Sequence, residues 1–187
     1  MTSRRRVVIL AACLLGGGMM PQSFAATPPP SHILADVPAA RLAGQGTFRW
    51  FGLAIYDAQL WVGEKGYQPA APTAAPFALD LRYARALVGK KIAESSQGEM
   101  QKLGYGSAEQ RTGWLAKMTA LFPDVREGTH ITGIFLPAIG ARFYLDGKVL
   151  GEIADPEFAR AFFAIWLDPK TTGGALRDAL LTDAAAR

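Results

Sequence analysis

Residues 151–168, GEIADPEFARAFFAIWLD, indicate the core element of this chain, a helix that is apolar on nearly every side. Asp155 is placed to cap the first free backbone N–H groups, and Pro156 suits the first helical position. After the first turn, Arg160 is the only charged residue up to position 167. A helix with so little polar surface is enclosed by the rest of the protein. We therefore predict a core helix packed on a sheet. Part of the face of this helix is available to line an apolar ligand cavity.

Alternating apolar residues predict strands before this helix. Residues 47–51 and 53–62 are typical of two short strands, or of one bulged strand interrupted at Gly52. Residues 77–83 alternate large apolar side chains with small or polar ones, which predicts a strand with one buried face. The buried face is expected to be the aromatic one.

Two glycine motifs predict turns. Asp146-Gly147 is typical of a two-residue hairpin turn and is expected to join strands at 141–145 and 149–153. Gly44-Gln45-Gly46 does not match a dinucleotide-binding loop, because the third glycine and the following helix are missing. We interpret it as a turn that precedes the first strand.

Helix signals complete the predicted order of elements. Residues 88–103 suit a partly exposed helix that ends at Gly104. Residues 107–110, SAEQ, fit a capping box at the start of a helix that Pro123 stops, and Thr172 is expected to cap a last helix. Strands, then helices, then strands, then helices predict an α+β domain in which helices gather on an antiparallel sheet.

The N-terminal residues 1–25 have the pattern of an export signal. A basic start is followed by an apolar run and by small residues at Ser23 and Ala25, where a signal peptidase would cut. Ser3-Arg4-Arg5-Arg6 also resembles a twin-arginine motif, so either export route is open. A lipoprotein box ending at Cys13 is the less favoured alternative, because the apolar run continues past that cysteine. We expect an exported, periplasmic protein, with a proline-rich leader at 26–40 and one domain at 41–183.

Charge and cysteine content exclude several classes of function. Removal of residues 1–25 would take three arginines and no acid from a formal net charge of +4, which leaves +1. Nucleic-acid binding needs a cationic face, so we expect no nucleic-acid partner. Cys13 is the only cysteine of the chain. Disulfides, thiolate nucleophiles and thiolate metal sites are therefore not expected in the domain.

Familiar catalytic and metal-binding motifs are missing from the sequence. It has no nucleophile elbow, no Walker loop and no histidine spacing typical of zinc sites. The two histidines, His32 and His130, fall in the leader and at a strand start. We predict no metal site, no cofactor and no hydrolase triad.

A few basic and phenolic groups among aromatic residues remain as candidates for a binding site. Arg49 lies in the segment 48–51, FRWF, and Tyr56 and Tyr83 follow on the next predicted strands. If Arg49 faced the interior, an unpaired guanidinium would cost several kcal/mol, and a ligand anion could supply the missing partner. The alternative is an arginine on an edge strand that stacks on Trp50 in water.

Four segments resemble the chalcone isomerase-like family. They are residues 42–63, LAGQGTFRWFGLAIYDAQLWVG; residues 77–85, FALDLRYAR; and the predicted closing helices at 151–168 and 176–181. The resemblance implies an open-faced β-sandwich in which helices cover a large antiparallel sheet. The family includes plant isomerases that close a flavanone ring, fatty-acid-binding relatives that are not enzymes, and exported bacterial members.

The resemblance also suggests roles for individual residues. Arg49 is the nearest match to the ligand-binding arginine of the family, with an offset of about one residue. Tyr56 falls where the isomerases have a threonine and the fatty-acid binders a tyrosine. The segment 88–92 offers no tyrosine where the isomerases place a catalytic one, and the hydroxyl residue of the closing helix falls on Ala164. These departures count against ring-closing catalysis, which needs hydroxyls that hold a phenolate.

The leading hypothesis is an exported, non-catalytic domain that binds a small, mostly apolar ligand such as a fatty acid. Arg49 and Tyr56 are expected to hold its anionic head, and the tail is expected to contact Phe51, Tyr83, Phe162 and Trp166. One alternative is an intramolecular lyase acting on a chalcone-like or other enone substrate. The other is an envelope interaction protein with a vestigial pocket, which predicts a filled interior and a large exposed apolar patch. The oligomeric state stays open.

Overall fold

A six-stranded antiparallel sheet is the framework of the fold in the computed structural model, which describes residues 28–186. The predicted signal at 1–25, including Cys13, lies outside the described residues. The strands pair in chain order, so each one neighbours the next along the sequence. They are β1 (Arg41–Trp50), β2 (Leu53–Val62), β3 (Phe77–Tyr83), β4 (His130–Leu136), β5 (Gly140–Leu145) and β6 (Lys148–Ile153). The predicted α+β class with an antiparallel sheet covered by helices is confirmed.

In the described part of the chain, five helices accompany the sheet: α1 (Ser31–Asp36), α2 (Gly89–Lys102), α3 (Ala108–Leu121), α4 (Pro156–Leu167) and α5 (Gly174–Leu180). Helix α4 is the predicted core helix, and the Asp155 carboxylate accepts a hydrogen bond from the Phe158 N–H at 3.0 Å. The predicted capping box of α3 is present, with Ser107 and Gln110 bonded reciprocally. Within residues 28–186 no helix is long and apolar enough to span a bilayer.

The main core lies between the sheet and the four helices α2 to α5. Phe158, Phe162 and Phe163 of α4 are buried against the sheet, and Phe143 of β5 contacts the first two of these rings. Neighbouring rings pack mostly edge to face, an arrangement that aromatic pairs favour. The expectation that α4 is enclosed is correct, since eight of its residues are buried.

Helix α1 covers part of the opposite face of the sheet and falls within the expected leader at 26–40. Pro30 precedes its first residue, and Ile33 and Val37, four positions apart, are fully buried. They pack with sheet residues that include Trp61, Ala78, Ile134 and Tyr144. The proline-rich composition concealed this short helix, whose two apolar anchors lie one turn apart.

Because of α1, strand β3 is buried on both faces, contrary to the expectation of one buried face. The aromatic face, Phe77 to Tyr83, packs in the main core as predicted, but Ala78 and Asp80 on the other face are also buried. Alternation along the strand did not reveal this, since alanine and aspartate are compatible with exposure.

The Gly44-Gln45-Gly46 motif lies inside β1 and not in a turn, which corrects the sequence interpretation. A β-carbon on Gly44 would lie 2.1 Å from the Ala179 carbonyl oxygen of α5. The glycines therefore allow α5 to lie directly on the strand. The expected Thr172 cap is also wrong, because α5 begins after Gly173 without a side-chain cap.

Candidate functional site

A cavity of about 480 Å³ lies between the helix-covered face of the sheet and helices α2, α4 and α5. Its floor is formed by strand residues Phe48, Tyr56, Leu81, Tyr83 and Ile131, and its walls include Ile92, Phe162, Ile165, Trp166 and Leu176. Polar side chains lie on α2 and on the loop before α5: Lys91, Ser95, Ser96, Glu99, Lys102, Thr171 and Thr172. The cavity is therefore mostly apolar, with its charged groups confined to one side.

Tyr56 and Trp166 form a hydrogen-bonded pair in the cavity lining. The Trp166 indole N–H donates a hydrogen bond to the Tyr56 hydroxyl at 3.0 Å. Burial raises the pKa of Tyr56, the hydrogen bond from Trp166 opposes this, and the nearby Glu99 carboxylate adds to the rise. The phenol is therefore neutral at physiological pH and keeps its own proton to donate.

Tyr83 supplies a second phenol to the same lining. It is 3 % exposed, and its ring meets that of Tyr56 edge to face at 6.0 Å. Burial raises the pKa of Tyr83, and Tyr56 adds to the effect. Within residues 28–186 its hydroxyl has no hydrogen-bond partner. A phenol of this kind is available to donate to a ligand.

Two lysines of α2 provide the positive charge of the cavity lining. The Lys102 ammonium lies 2.7 Å from Glu99, whose other carboxylate oxygen accepts a hydrogen bond from the Thr172 hydroxyl at 2.9 Å. Lys91 is paired with Glu94, also at 2.7 Å. Both lysine side chains are more than half exposed, so these ion pairs are weak and can exchange for another anion.

Four of the six residues predicted to bind the ligand line the cavity: Tyr56, Tyr83, Phe162 and Trp166. Arg49 does not join them. Phe48 and Trp50 line the cavity, so alternation along β1 turns Arg49 to the other face, where it is exposed. The expectation that Arg49 faces the cavity is wrong, because inward aromatic rings avoid the cost of burying a guanidinium.

Phe51 is also outside the cavity. It occupies the first position of the two-residue turn between β1 and β2, with a φ of 47°, and is 89 % exposed. The predicted strand at 47–51 ends one residue earlier, at Trp50, so Phe51 belongs to the turn and not to the strand.

Several lining residues were missed because the predicted α2 helix was treated only as a partly exposed helix. Ile92, Ser96 and Glu99 line the cavity from that helix. Their spacing of three and four positions puts them on one face, which is a signal that the sequence carried. Phe48 could also have been predicted to line the cavity, because adjacent strand residues lie on opposite faces and an exposed Arg49 places Phe48 on the inner one.

A separate polar cluster lies under α1 on the opposite face of the sheet. The buried Asp80 carboxylate accepts a hydrogen bond from the Thr132 hydroxyl at 2.6 Å and lies 2.7 Å from the His130 ring nitrogen. His32 of α1 lies 3.0 Å from the same Thr132 hydroxyl. Among the described residues no group of three or more acidic, histidine or cysteine side chains is arranged to hold a metal ion. The cluster fastens α1 to the sheet.

Comparison with known proteins places this fold in a family. The family model described as chalcone isomerase-like matches residues 25–182. The chain belongs to the chalcone isomerase-like family. The resemblance noted in the sequence is thereby confirmed. The matched range includes the segment that forms α1, which lies in the expected leader.

Among solved structures, this chalcone isomerase-like chain is similar to the fatty-acid binding protein of Arabidopsis thaliana. The TM-score is 0.60 at 14 % sequence identity, with 79 % of this chain and 89 % of that chain covered. No curated protein sequence matches the chain significantly. At this identity the likeness shows a shared fold.

The positions at which the chalcone isomerase-like chain departs from the isomerase pattern can now be located. Val88 at the start of α2 is 53 % exposed, whereas Leu87, Lys91 and Ile92 line the cavity. Ala164 is buried in α4 but does not line the cavity. No hydroxyl therefore reaches the cavity from either of these two positions.

Proposed function

We propose that this domain binds a small, mostly apolar ligand with an anionic head, of the fatty-acid class, and does not transform it. The observation that carries this proposal is the apolar cavity of about 480 Å³ beneath α4. Its volume lies within the range of about 300–1,000 Å³ that is common for small-molecule sites. The similarity to a plant fatty-acid binding protein supports the same ligand class.

The apolar lining accounts for the tail of such a ligand. Transfer of an acyl chain from water contributes about 0.8 kcal/mol per buried CH₂ group. Ten methylenes would thus contribute about 8 kcal/mol, of which the cost of association offsets about 4 kcal/mol or more. Micromolar binding, about −8 kcal/mol, therefore needs a longer tail or head-group contacts in addition. The aromatic walls, Phe48, Phe162 and Trp166, supply much of the contact surface.

The head group requires donors other than Arg49. Tyr83 offers a phenol without a partner in the described structure, and Lys91 and Lys102 are the cations that line the cavity. A ligand carboxylate near Lys102 would compete with Glu99 for the Lys102 ammonium group. This exchange is possible because the Lys102 side chain is more than half exposed. We therefore assign head-group binding to Tyr83 and these lysines.

The geometry favours binding over ring-closing catalysis. An isomerase must stabilise a phenolate, and this is done by preorganised donors and positive charge near the reacting oxygen. Here the arginine of the early strand is outside the cavity, and the two lysines of the lining are paired with Glu94 and Glu99 at its exposed side. The vestigial-pocket alternative predicted a filled interior, whereas a sizeable cavity is present.

Blocking the cavity tests the proposal. Ile92→Trp would insert an indole into the space, and Ile139→Trp, at an exposed position outside the lining, is the matched control. We expect the domain to bind a fluorescent fatty-acid analogue, Ile92→Trp to weaken this binding at least about tenfold, and the control to stay within about twofold. Absence of binding in the unmodified domain, or equal affinity of both variants, contradicts the proposal.

A second pair of variants tests the head group. Lys102→Met is expected to weaken the binding of a fatty acid more than the binding of the corresponding alcohol, because only the acid carries a charge that the lysine can balance. Arg49→Gln is the control, since Arg49 lies on the other face of β1. Competition assays with both ligands measure the ratio. A larger effect of Arg49→Gln on the acid would return the head-group role to that residue.

We also propose that the protein is exported. The arginine cluster at 4–6, the apolar run after it and the small residues at Ser23 and Ala25 support this proposal. Cell fractionation and N-terminal sequencing test it, and cleavage after Ala25 is the expected result. A lipidated Cys13 at the new N-terminus would favour the lipoprotein route, and an uncleaved cytoplasmic chain would contradict export.

A further inference from the structure

The turn between β1 and β2 exposes three large apolar side chains next to one another. Trp50 is 58 % exposed, Phe51 89 % and Leu53 56 %. The Trp50 and Phe51 rings pack edge to face with centroids 5.1 Å apart, so they present one apolar surface. We call residues Trp50, Phe51, Gly52 and Leu53 the hairpin tip. An apolar surface of this kind on a soluble domain is typical of an interaction site.

Backbone geometry at the hairpin tip indicates that Phe51 is not there to stabilise the fold. Phe51 and Gly52 have φ values of 47° and 80°, and the β5–β6 turn of Asp146-Gly147 has nearly the same values, 47° and 79°. Aspartate tolerates the left-handed region, whereas a bulky side chain is strained in it by about 1–2 kcal/mol. Phe51 is almost fully exposed and its ring contacts only the exposed Trp50 ring, so burial in the core does not offset that strain. An external contact would do so.

The hairpin tip lies beside the mouth of the cavity. Trp50 is exposed on one side and lines the cavity on the other, and Ile55 of the same hairpin also lines it. The Ala84 N–H donates to the Ile55 carbonyl at 2.9 Å, which brings the segment before α2 alongside the hairpin. Val88 of that segment is 53 % exposed and adds to the apolar surface.

Positive charge surrounds this apolar surface. Arg49 and Arg85 are both exposed, and within residues 28–186 neither has a carboxylate partner. The Arg49 guanidinium contacts only the Gly52 carbonyl, at 3.4 Å. Lys90 and Lys91 begin α2 and share one carboxylate, Glu94. Asp57, the acid of the β1–β2 hairpin, pairs with Arg82. The cations around the hairpin tip therefore outnumber the acids.

We propose that the hairpin tip docks on the surface of an anionic lipid bilayer, with the cavity mouth turned toward the lipid. Aromatic side chains with basic neighbours bind the interfacial region of membranes, where rings enter the acyl boundary and cations meet lipid phosphates. Lipid phosphates can satisfy both unpaired guanidiniums without a fixed geometry. Exchange of a ligand between bilayer and cavity would rest on the proposed function, but docking itself does not.

Tryptophan fluorescence provides a direct test, because Trp50 is the only exposed tryptophan of the four in the chain. The test uses residues 26–187, which contain every described helix and strand. Residues 1–25 are left out because their apolar segment would itself bind lipid. Phosphatidylcholine vesicles with phosphatidylglycerol should shift the emission to the blue and sediment the protein. Vesicles of phosphatidylcholine alone should do so much less. Trp50→Phe should abolish the shift but retain sedimentation.

Variants separate docking from stability. Phe51→Asn creates an Asn-Gly turn, which suits the two positive φ values, so we expect equal or higher stability with at least about tenfold weaker partition to anionic vesicles. Val149→Ser, on the edge strand β6 and 70 % exposed, is the matched control and should partition as the unmodified protein does. Arg85→Gln should weaken partition about fivefold.

The outcomes distinguish failure of bilayer docking from failure of the proposed ligand binding. No blue shift with anionic vesicles, or equal loss in Phe51→Asn and Val149→Ser, overturns docking on lipid. Concentration-dependent dimerisation that Phe51→Asn abolishes, without vesicle binding, would assign the surface to a second copy and also overturn it. A protein that binds vesicles but no fatty-acid analogue in solution retains docking and contradicts the proposed ligand.

Discussion

The Trp166 indole N–H donates a hydrogen bond to the Tyr56 hydroxyl at 3.0 Å in the lining of the candidate cavity. The contact joins α4 to β2, and both residues also line the space that a ligand would occupy. One interaction therefore contributes both to holding the core helix on the sheet and to shaping the cavity. The neighbouring Tyr83 ring also packs in the core, but its hydroxyl has no such partner among the described residues.

The two phenols should respond differently to removal of their hydroxyl groups. Tyr56→Phe leaves the buried Trp166 N–H without its acceptor, and we expect the free energy of unfolding to fall by about 1–3 kcal/mol. Tyr83→Phe removes a hydroxyl that has no partner in the described structure, so the change should stay within about 0.5 kcal/mol. Urea unfolding followed by tryptophan fluorescence measures both. Equal costs would show that the Trp166 contact contributes nothing specific.

Gly44 should not tolerate a larger side chain. A β-carbon there would lie 2.1 Å from the Ala179 carbonyl oxygen and 2.5 Å from that of Leu180, so α5 would have to move off β1. We expect Gly44→Ala to lower the free energy of unfolding by about 2 kcal/mol or more. Gly113→Ala is the control: no atom lies within 4 Å of the added carbon, and the gain in helix propensity should stabilise α3 by up to about 1 kcal/mol. Thermal unfolding of the two variants should shift in opposite directions.

Acid should weaken the attachment of α1. Burial lowers the pKa of His32 below its ordinary value of 6.5; the Asp80 charge on β3 opposes this and His130 on β4 adds to it. Tyr144 on β5 contacts the His32 ring at 5.0 Å. The unfolded chain therefore binds a proton more readily than the folded one, so stability is lost as the pH falls through 6.5 toward the lower folded value.

His32→Gln removes this titration and should make stability less dependent on pH in that window. Ser31→Ala, an exposed change on the same helix, should retain the dependence of the unmodified domain. Urea midpoints measured at several pH values provide the comparison. If stability rises on acidification in a manner that needs His32, the assigned direction of its pKa shift is wrong.

The carboxylate of Asp155 should be worth more than an ordinary helix cap. It accepts hydrogen bonds from the Phe158 N–H at 3.0 Å and from the Trp114 indole at 2.9 Å, which ties α3 to the start of α4. Burial acts to raise the pKa of Asp155, but these two hydrogen bonds and Lys117 outweigh it and leave the pKa below its ordinary value.

Replacement of this cap gives two expected results. Asp155→Ala should cost about 2–3 kcal/mol, the sum expected for a lost cap and an unpaired buried indole N–H. Asp155→Asn keeps an acceptor and should cost less. Because the folded pKa is lowered, the contribution of Asp155 is complete above its unfolded pKa and is lost as the pH falls through the folded value. A stability profile of Asp155→Asn that matches the unmodified protein at low pH checks the sign.

Residues that act through neighbours in sequence were predicted correctly. Asp155 and Pro156 start α4, Ser107 and Gln110 start α3, and Asp146-Gly147 turns the chain between β5 and β6. Each depends on hydrogen bonds or φ preferences within a few residues, so the local sequence is sufficient. The same holds for the aromatic residues of α4, whose number on all sides of the helix leaves no option but burial.

Contacts between distant segments were not predictable in the same way. Ile33 is buried only because α1 folds back onto β4, and Gly44 is needed only because α5 crosses β1. Tyr56, Tyr83, Phe162 and Trp166 do line the candidate cavity, whereas the orientation of Arg49 was not predictable from the sequence. The direction of a side chain on an edge strand depends on which face the helices cover, and neither possibility violates local preference.

The amino-acid sequence by itself determined the class of the fold, the core helix and most turns, because capping, glycine conformation and apolar periodicity are properties of short segments. Only the tertiary structure decided which residues enclose the cavity, that the arginine beside it points to solvent, and that an exposed Phe-Gly turn stands at its mouth. Those features arise from the register of β1 on β2 and from the packing of α2 and α4 above the sheet. Both depend on contacts across the chain that no single segment specifies.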